Sequence, residues 1–293
     1  FALMAMALTL GSCSDNENGI GGETSKYITV STSIGNMTRV ATDANGGQTF
    51  EEGDEISVYA WTGDATVAPE TRERVVNNAI NKLTNGSWVS TPQMLWKNNR
   101  DKHYFIGVYP TAAISDLSAG EYTFDANKQT ESDLLVAVNP DGLSYSADAQ
   151  QTVPLTFTHV MAKLVVNLTY KNQWGGIPTV EKVVVGNAAK EATVNYLTKV
   201  VTPSTTAKED FSLPEITENT KYVSVIIPQE EVTQLTIVIG GKNFVYDNGT
   251  PFKLESGKIT TVNLEVGRDE IKLGDVKITD WEDGSTFGGE ALN

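Results

Sequence analysis

Histidine, cysteine and basic side chains are the scarce residues of this chain. It carries two histidines, one cysteine, and 22 basic against 37 acidic residues, for a formal net charge of −15. His103 and His159 lie too far apart in sequence to read as a zinc-ligand cluster, and no metal or other cofactor is expected. A lone cysteine excludes an internal disulfide. With no basic stripe to displace counterions, nucleic acid is excluded as a partner. The acid excess instead suits an exposed, soluble surface that resists unspecific adsorption to anionic membranes. No apolar run approaches the ~20 residues of a membrane-spanning helix. Gly-x-Ser-x-Gly elbows, phosphate-cradling loops and dinucleotide fingerprints are missing too, so the chain does not read as an enzyme.

What is present is alternation with a period of two. Hydrophobic residues make up 40% of the 293, enough for packed cores in a chain whose length suggests two domains. Ile28, Val30, Thr32 and Ile34 alternate with Tyr27, Thr29, Ser31 and Ser33. Further strands are expected at 56–61, at 104–109 before Pro110, and at 134–138, stopping at Pro140. A long run over 153–170 follows, then 183–185, 223–227, 235–239, 244–246 and 259–266. Asn85-Gly86, Gly240-Gly241 and Asp247-Asn248-Gly249 are hairpin signals. Residues 69–83 are ambiguous, with helical spacing at Val76, Ala79, Ile80 and Leu83 just before the Asn85-Gly86 turn. A short helix at about 69–76 leading into a strand at about 78–84 reconciles the two. Short strands at this spacing predict an all-β chain of antiparallel β-sandwiches. The boundary is expected in the polar stretch 144–152, giving domains at 26–152 and 153–293.

The remaining candidates for chemistry read better as structure. His159 sits where two strands meet and is expected to bond backbone there. Asp43 and Asn45, with Glu51, Glu52 and Asp54, fail the EF-hand spacing because Gln48 occupies the place of the turn glycine. Asp280, Glu282 and Asp283 around Trp281 are too close along a strand to flank one glycosidic bond.

Residues 1–10 form an uncharged apolar run of signal-peptide length ending in Leu10-Gly11-Ser12-Cys13, which resembles the lipobox of bacterial lipoprotein precursors. Cys13 is the expected lipid attachment point, residues 1–12 a signal peptide, and residues 13–25 a polar, Gly-rich tether. The run opens on Phe1 without a methionine or basic residues, so a few residues are expected ahead of it. The acidic stretch after Cys13 resembles the surface-export signal of Bacteroidota lipoproteins.

Several segments, in order, resemble the fimbrillin family of Bacteroidota, the lipoprotein-derived type V pilins. They are the lipobox, Met37-Thr38-Arg39-Val40-Ala41, the run from Phe50 through Gly53-Asp54 to Ala60, and Trp96 ahead of Tyr104-Phe105-Ile106-Gly107-Val108-Tyr109-Pro110. Phe157-x-His159-x-x-Ala162-Lys163-Leu164 and the late Ile278-Thr279-Asp280-Trp281 complete the set. The resemblance implies two transthyretin-like β-sandwich domains in tandem. It implies a fimbrial subunit, stalk or tip, at the outer membrane and cell surface, whose partners are other pilin subunits. It further implies that an arginine-specific surface protease cuts after Arg39 and releases the strand bearing Ile28, Val30 and Ile34. A strand from the next subunit then fills the groove. The expected donor carries Ile271, Leu273, Val276 and Ile278, with Gly274 breaking the alternation as a bulge or bend. The alternative is a lipid-anchored adhesin or glycan-binding protein that never polymerises. Trp61, Trp88 or Trp174 would then form a binding face for a host or bacterial surface ligand.

Overall fold

The computed structural model describes residues 26–35, 49–129, 132–146, 151–232, 234–247 and 251–281. The first half contributes β1 (Thr29–Ile34), β2 (Glu55–Thr62), β3 (Val76–Thr84), β4 (Ser87–Thr91), β5 (His103–Tyr109), β6 (Gly120–Thr123), β7 (Leu135–Leu143) and β8 (Thr152–His159). From the second come β9 (Ala162–Tyr170), β10 (Val180–Ala189), β11 (Glu191–Asn195), β12 (Val200–Pro203), β13 (Lys208–Ser212), β14 (Glu215–Thr217) and β15 (Lys221–Ile226). They are followed by β16 (Gln229–Val232), β17 (Leu235–Ile239), β18 (Lys242–Tyr246), β19 (Phe252–Leu254), β20 (Lys258–Val266) and β21 (Ile271–Asp280). Helix among the described residues is confined to 3-10 turns at Thr71–Glu73 and Asn172–Trp174. The chain is all-β, as its alternation predicts.

A seven-stranded sheet in the order β1-β8-β7-β5-β2-β3-β4 organises the first half. Its central strands are buried on both faces. Ile56, Val58, Ala60, Phe105, Leu135 and Ala137 pack into one core with Val153, Leu155 and Phe157. Tyr59, Trp61, Ile106, Val108 and Val136 point the other way, into a larger core shared with β9, β10, β15, β17 and β20. Two-sided burial explains why 56–61 and 104–109 read as continuous apolar runs. In the second half a five-stranded sheet, β14-β15-β9-β20-β21, and a four-stranded sheet, β13-β10-β17-β18, contribute to that same shared core. A small sheet, β12-β11-β6, joins strands from both halves.

The ambiguous region resolves as a 3-10 turn followed by β3, which turns at Asn85-Gly86 into β4. Three features differ from the sequence reading. Two strand pairs are parallel, β1 with β8 and β9 with β20, because each joins segments about a hundred residues apart rather than hairpin neighbours. The 153–170 run is two strands broken at Val160-Met161, and β8, expected to open the second domain, hydrogen-bonds β1 and β7 of the first sheet. β7 continues through Pro140 to Leu143, since a register shift opposite Tyr104 absorbs the residue that cannot donate.

Gly107 on β5 shows how tight the first core is. A Cβ there would lie 2.6 Å from Phe157 Cζ and 3.1 Å from Leu155 Cδ1. Gly107→Ala should therefore cost about 1–3 kcal/mol through overpacking, read as a lowered urea midpoint with unchanged m-value.

Candidate functional site

The feature that stands apart is the seat of β1. This strand pairs parallel to β8, from Thr29 opposite Thr152 to Ile34 opposite Phe157. Its ends are tied by main-chain bonds. Ile28 N donates to Met94 O at 2.9 Å, Trp96 N to Lys26 O at 3.2 Å, and Gly35 N to Phe157 O at 2.8 Å. On the side facing β4, Trp88 Nε1 donates to Thr32 Oγ1 at 3.0 Å. Ile28 and Val30 are only 2% and 6% exposed and belong to the first core, with half-buried Ile34 packed against it. Val153, Leu155 and Phe157 on the paired strand β8, together with Met94, belong to the same core. The Phe50 ring meets Trp88, Tyr109 and Phe157 edge-on, at centroid distances of 5.3, 5.4 and 5.1 Å. The three residues expected on a releasable strand thus occupy one apolar groove at a sheet edge. Met94, which helps line it, escaped the sequence reading because it carries no local signal, while Phe50 and Trp88 figure there for other reasons and not as neighbours of this strand.

The segment bearing Ile271, Leu273, Val276 and Ile278 is β21, an edge strand antiparallel to β20. Its register shifts between Val262 and Leu264, so that Gly274 and Asp275 oppose Asn263. A Cβ at Gly274 would stand 3.2 Å from Asn263 O. The break in alternation is a bulge, as expected. Ile271 and Leu273 pack against the shared core, whereas Val276 and Ile278 are 36% and 39% exposed.

His159 lies at the junction of β8 and β9, where its Nδ1 is 2.9 Å from Asp133 Oδ2. Its ring stacks on Trp281, with centroids 3.9 Å apart and planes at 5°. His103 is buried against Trp96. Its Nε2 accepts the Lys97 N–H at 3.0 Å and its Nδ1 lies 3.1 Å from Asp101 O.

The acidic candidates hold turns. Glu52 Oε1 accepts from Asn85 N at 2.6 Å, across the β3–β4 hairpin, and Asp54 Oδ2 accepts from Glu51 N at 2.7 Å. Asp280 pairs with Lys258. Among the described residues no group of three or more acidic, histidine or cysteine side chains is arranged to hold a metal. Nor is any of their helices long and apolar enough to cross a membrane. Of the tryptophans expected on a ligand-binding face, one is buried and two are half-buried with their indole N–H groups bonded. Trp61 is 2% exposed, Trp88 is held by Thr32, and Trp174 Nε1 donates to Val266 O at 3.0 Å. Cys13, Arg39, Asp43, Asn45, Glu282 and Asp283 lie outside the described residues.

Burial pushes the His103 imidazole below its ordinary value, against smaller upward contributions from Asp101. The unfolded chain then takes up this proton first, so stability falls as pH drops below the unfolded value of about 6.5 and continues to fall until the lowered folded value is passed. In His103→Gln the amide oxygen can still accept from Lys97 N. Its urea midpoint should vary less than wild type between pH 7.5 and 5.5, and equal pH slopes would contradict this.

The sequence profile of a family described as fimbrillin-like matches residues 38–281. No curated protein sequence matches significantly. Among solved structures, the chain resembles a candidate cell adhesion protein from Bacteroides ovatus with a TM-score of 0.65 at 18% identity, over 87% of this chain and 98% of that one. A candidate cell adhesion protein from Bacteroides uniformis gives 0.61 at 17% identity, over 88% and 100%. For a fimbrial protein from Bacteroides vulgatus the TM-score is 0.54 at 13%, over 88% and 100%. At such identities these likenesses speak for the fold. The profile, running from just beyond β1 to Trp281, establishes that the chain belongs to the fimbrillin-like family.

Proposed function

We propose that the chain is a structural subunit, stalk or tip, of a cell-surface fimbria. It is exported as a lipoprotein through Cys13 and polymerised by donor-strand exchange after arginine-specific cleavage near Arg39. It acts as a building block rather than an enzyme. Its partners are other subunits, the outer membrane through the Cys13 lipid, and the processing protease.

The observation that carries this reading is the seat of β1. The strand fills an apolar groove and is followed in sequence, before β2 begins, by Arg39. Its loss would uncover the β8 edge and the space held by Ile28 and Val30. Burial of such side chains stabilises by roughly 1.5–3 kcal/mol each, as an upper estimate. The vacated groove thus lacks several kcal/mol of apolar contact together with a row of main-chain bonds. An extended apolar strand from another subunit restores both. β21 supplies such a strand at its own sheet edge, with Ile271, Leu273, Val276 and Ile278 as the donor residues. The alternative, a lipid-held adhesin, loses one element of its proposed binding face, since Trp61 is buried.

Purified precursor treated with an arginine-specific, trypsin-like protease should be cut at Arg39 and then give SDS-resistant ladders. Arg39→Ala should stay uncut and monomeric. A wild-type precursor that remains an intact monomer, or is cut at Arg39 and stays monomeric, overturns the proposal and favours the lipid-held adhesin.

A further inference from the structure

Trp281 has no part in the groove of β1, yet it makes the most elaborate contact at the end of β21. The stack on His159 covers one face of its indole, and Lys163 Nζ lies 5.1 Å from the ring centroid. Trp281 N donates to Gly257 O at 3.1 Å. Its partners come from three places: His159 ends β8, Lys163 lies on β9, and Asp133, which holds the imidazole, precedes β7. The ring therefore fastens the end of β21 to the junction where the chain passes from the first sheet to the second.

The strand it fastens is divided. Before the Gly274 bulge, Ile271 and Leu273 pack against the shared core. Beyond it, Val276 and Ile278 remain over one-third exposed, and residues 275–280 are exposed throughout. That half is held by main-chain pairing with β20, by two polar contacts, and by Trp281. The polar contacts are Asn263 Nδ2 to Asp275 Oδ1 at 2.7 Å and the ion pair of Asp280 with Lys258. A strand half with little apolar burial opens locally at low cost unless its end is pinned.

We propose that Trp281 is the latch that keeps the C-terminal half of β21 on its own sheet, and that its release from His159 controls when β21 becomes available to another subunit. The first clause stands on the contacts above; the second rests on the proposed strand exchange. The aromatic stack and the cation over the ring resist opening together, and the bulge at Gly274 supplies the point about which the freed half swings.

Amide hydrogen exchange on the full precursor tests the latch without any polymerisation. Trp281→Ala should speed exchange of residues 276–280 about tenfold while leaving β9 and β15 protected, and Trp281→Phe, which can still stack, should restore most of the protection. Should Trp281→Ala lower protection throughout, Lys163→Met, which removes the cation and leaves the stack on His159 in place, must still loosen 276–280 selectively. Unchanged exchange at 276–280 in Trp281→Ala, or in that case in Lys163→Met, overturns the latch. After cleavage, Trp281→Ala should form ladders several-fold faster than wild type. Ladders at the wild-type rate despite loosened 276–280 overturn its control of assembly. Loosening with no ladders from either protein leaves the latch standing and overturns the strand-exchange reading.

Discussion

The two-sided burial of β2, β5 and β7 is the constraint on which the rest of the molecule hangs. Tyr59, Trp61, Ile106, Val108 and Val136 on one face reach into the core of the second half, while Ile56, Val58, Phe105, Leu135 and Ala137 close the core of the first. Side chains of this size stabilise by roughly 1.5–3 kcal/mol each when fully buried, and here they do so on both sides of one layer. Tyr59 extends the tie by donating its hydroxyl to Ala112 O and accepting from Ile114 N at 2.9 Å. The connection between β5 and β6 is thereby fixed to the central layer, and β6 continues into the sheet shared with β11 and β12. Neither half is indifferent to the other, because the middle of the first sheet is a wall of both.

Against that fixed wall the two terminal strands differ sharply. β1 lies deep: Ile28 and Val30 are within the first core and both strand ends are tied to other segments. β21 lies shallow, with its apolar side chains half-buried at best and the outer strand position to itself. Burial free energy scales with the apolar area removed from water, so β1 holds its place far more strongly than the outer half of β21 does. Under the proposed exchange this ordering is required. A groove must be costly to leave empty, whereas a strand to be lent must lose little when it departs.

Much of this was legible in residue order, and the unread parts have a common physical origin. The alternation of Ile28, Val30 and Ile34, the Asn85-Gly86 hairpin and the bulge at Gly274 are local signals, and the structure carries each of them. Strand pairing between distant segments leaves no such mark. Nothing near Thr152 announces that β8 turns back to lie parallel to β1, and the polar stretch before it suggested a boundary instead. Trp281 illustrates the same limit. In sequence its only marked neighbours are Asp280, Glu282 and Asp283, but its environment is set by His159 and Lys163, over a hundred positions earlier. Trp61 failed in the opposite direction. The alternative reading places it on an exposed binding face, while its indole N–H is taken by Asp64 O at 2.9 Å and its ring belongs to the shared core.

Charge completes the account of how such a shallow strand survives at an edge. Unpaired main-chain groups on an outer strand invite pairing with any other chain, and charged side chains are the usual defence. β21 alternates its apolar residues with Lys272, Asp275, Lys277 and Asp280, both signs represented within one strand. Each like-charged encounter disfavours random edge-to-edge addition, and the net charge of −15 adds a longer-range repulsion between copies. Those charges do not oppose pairing with a partner whose charges complement them. The defence therefore discriminates by partner rather than closing the edge altogether. In a protein whose proposed work is to give up one strand and lend another, selective protection of that edge follows from the same requirement as deep burial of β1: both make the correct exchange more favourable than any competing one.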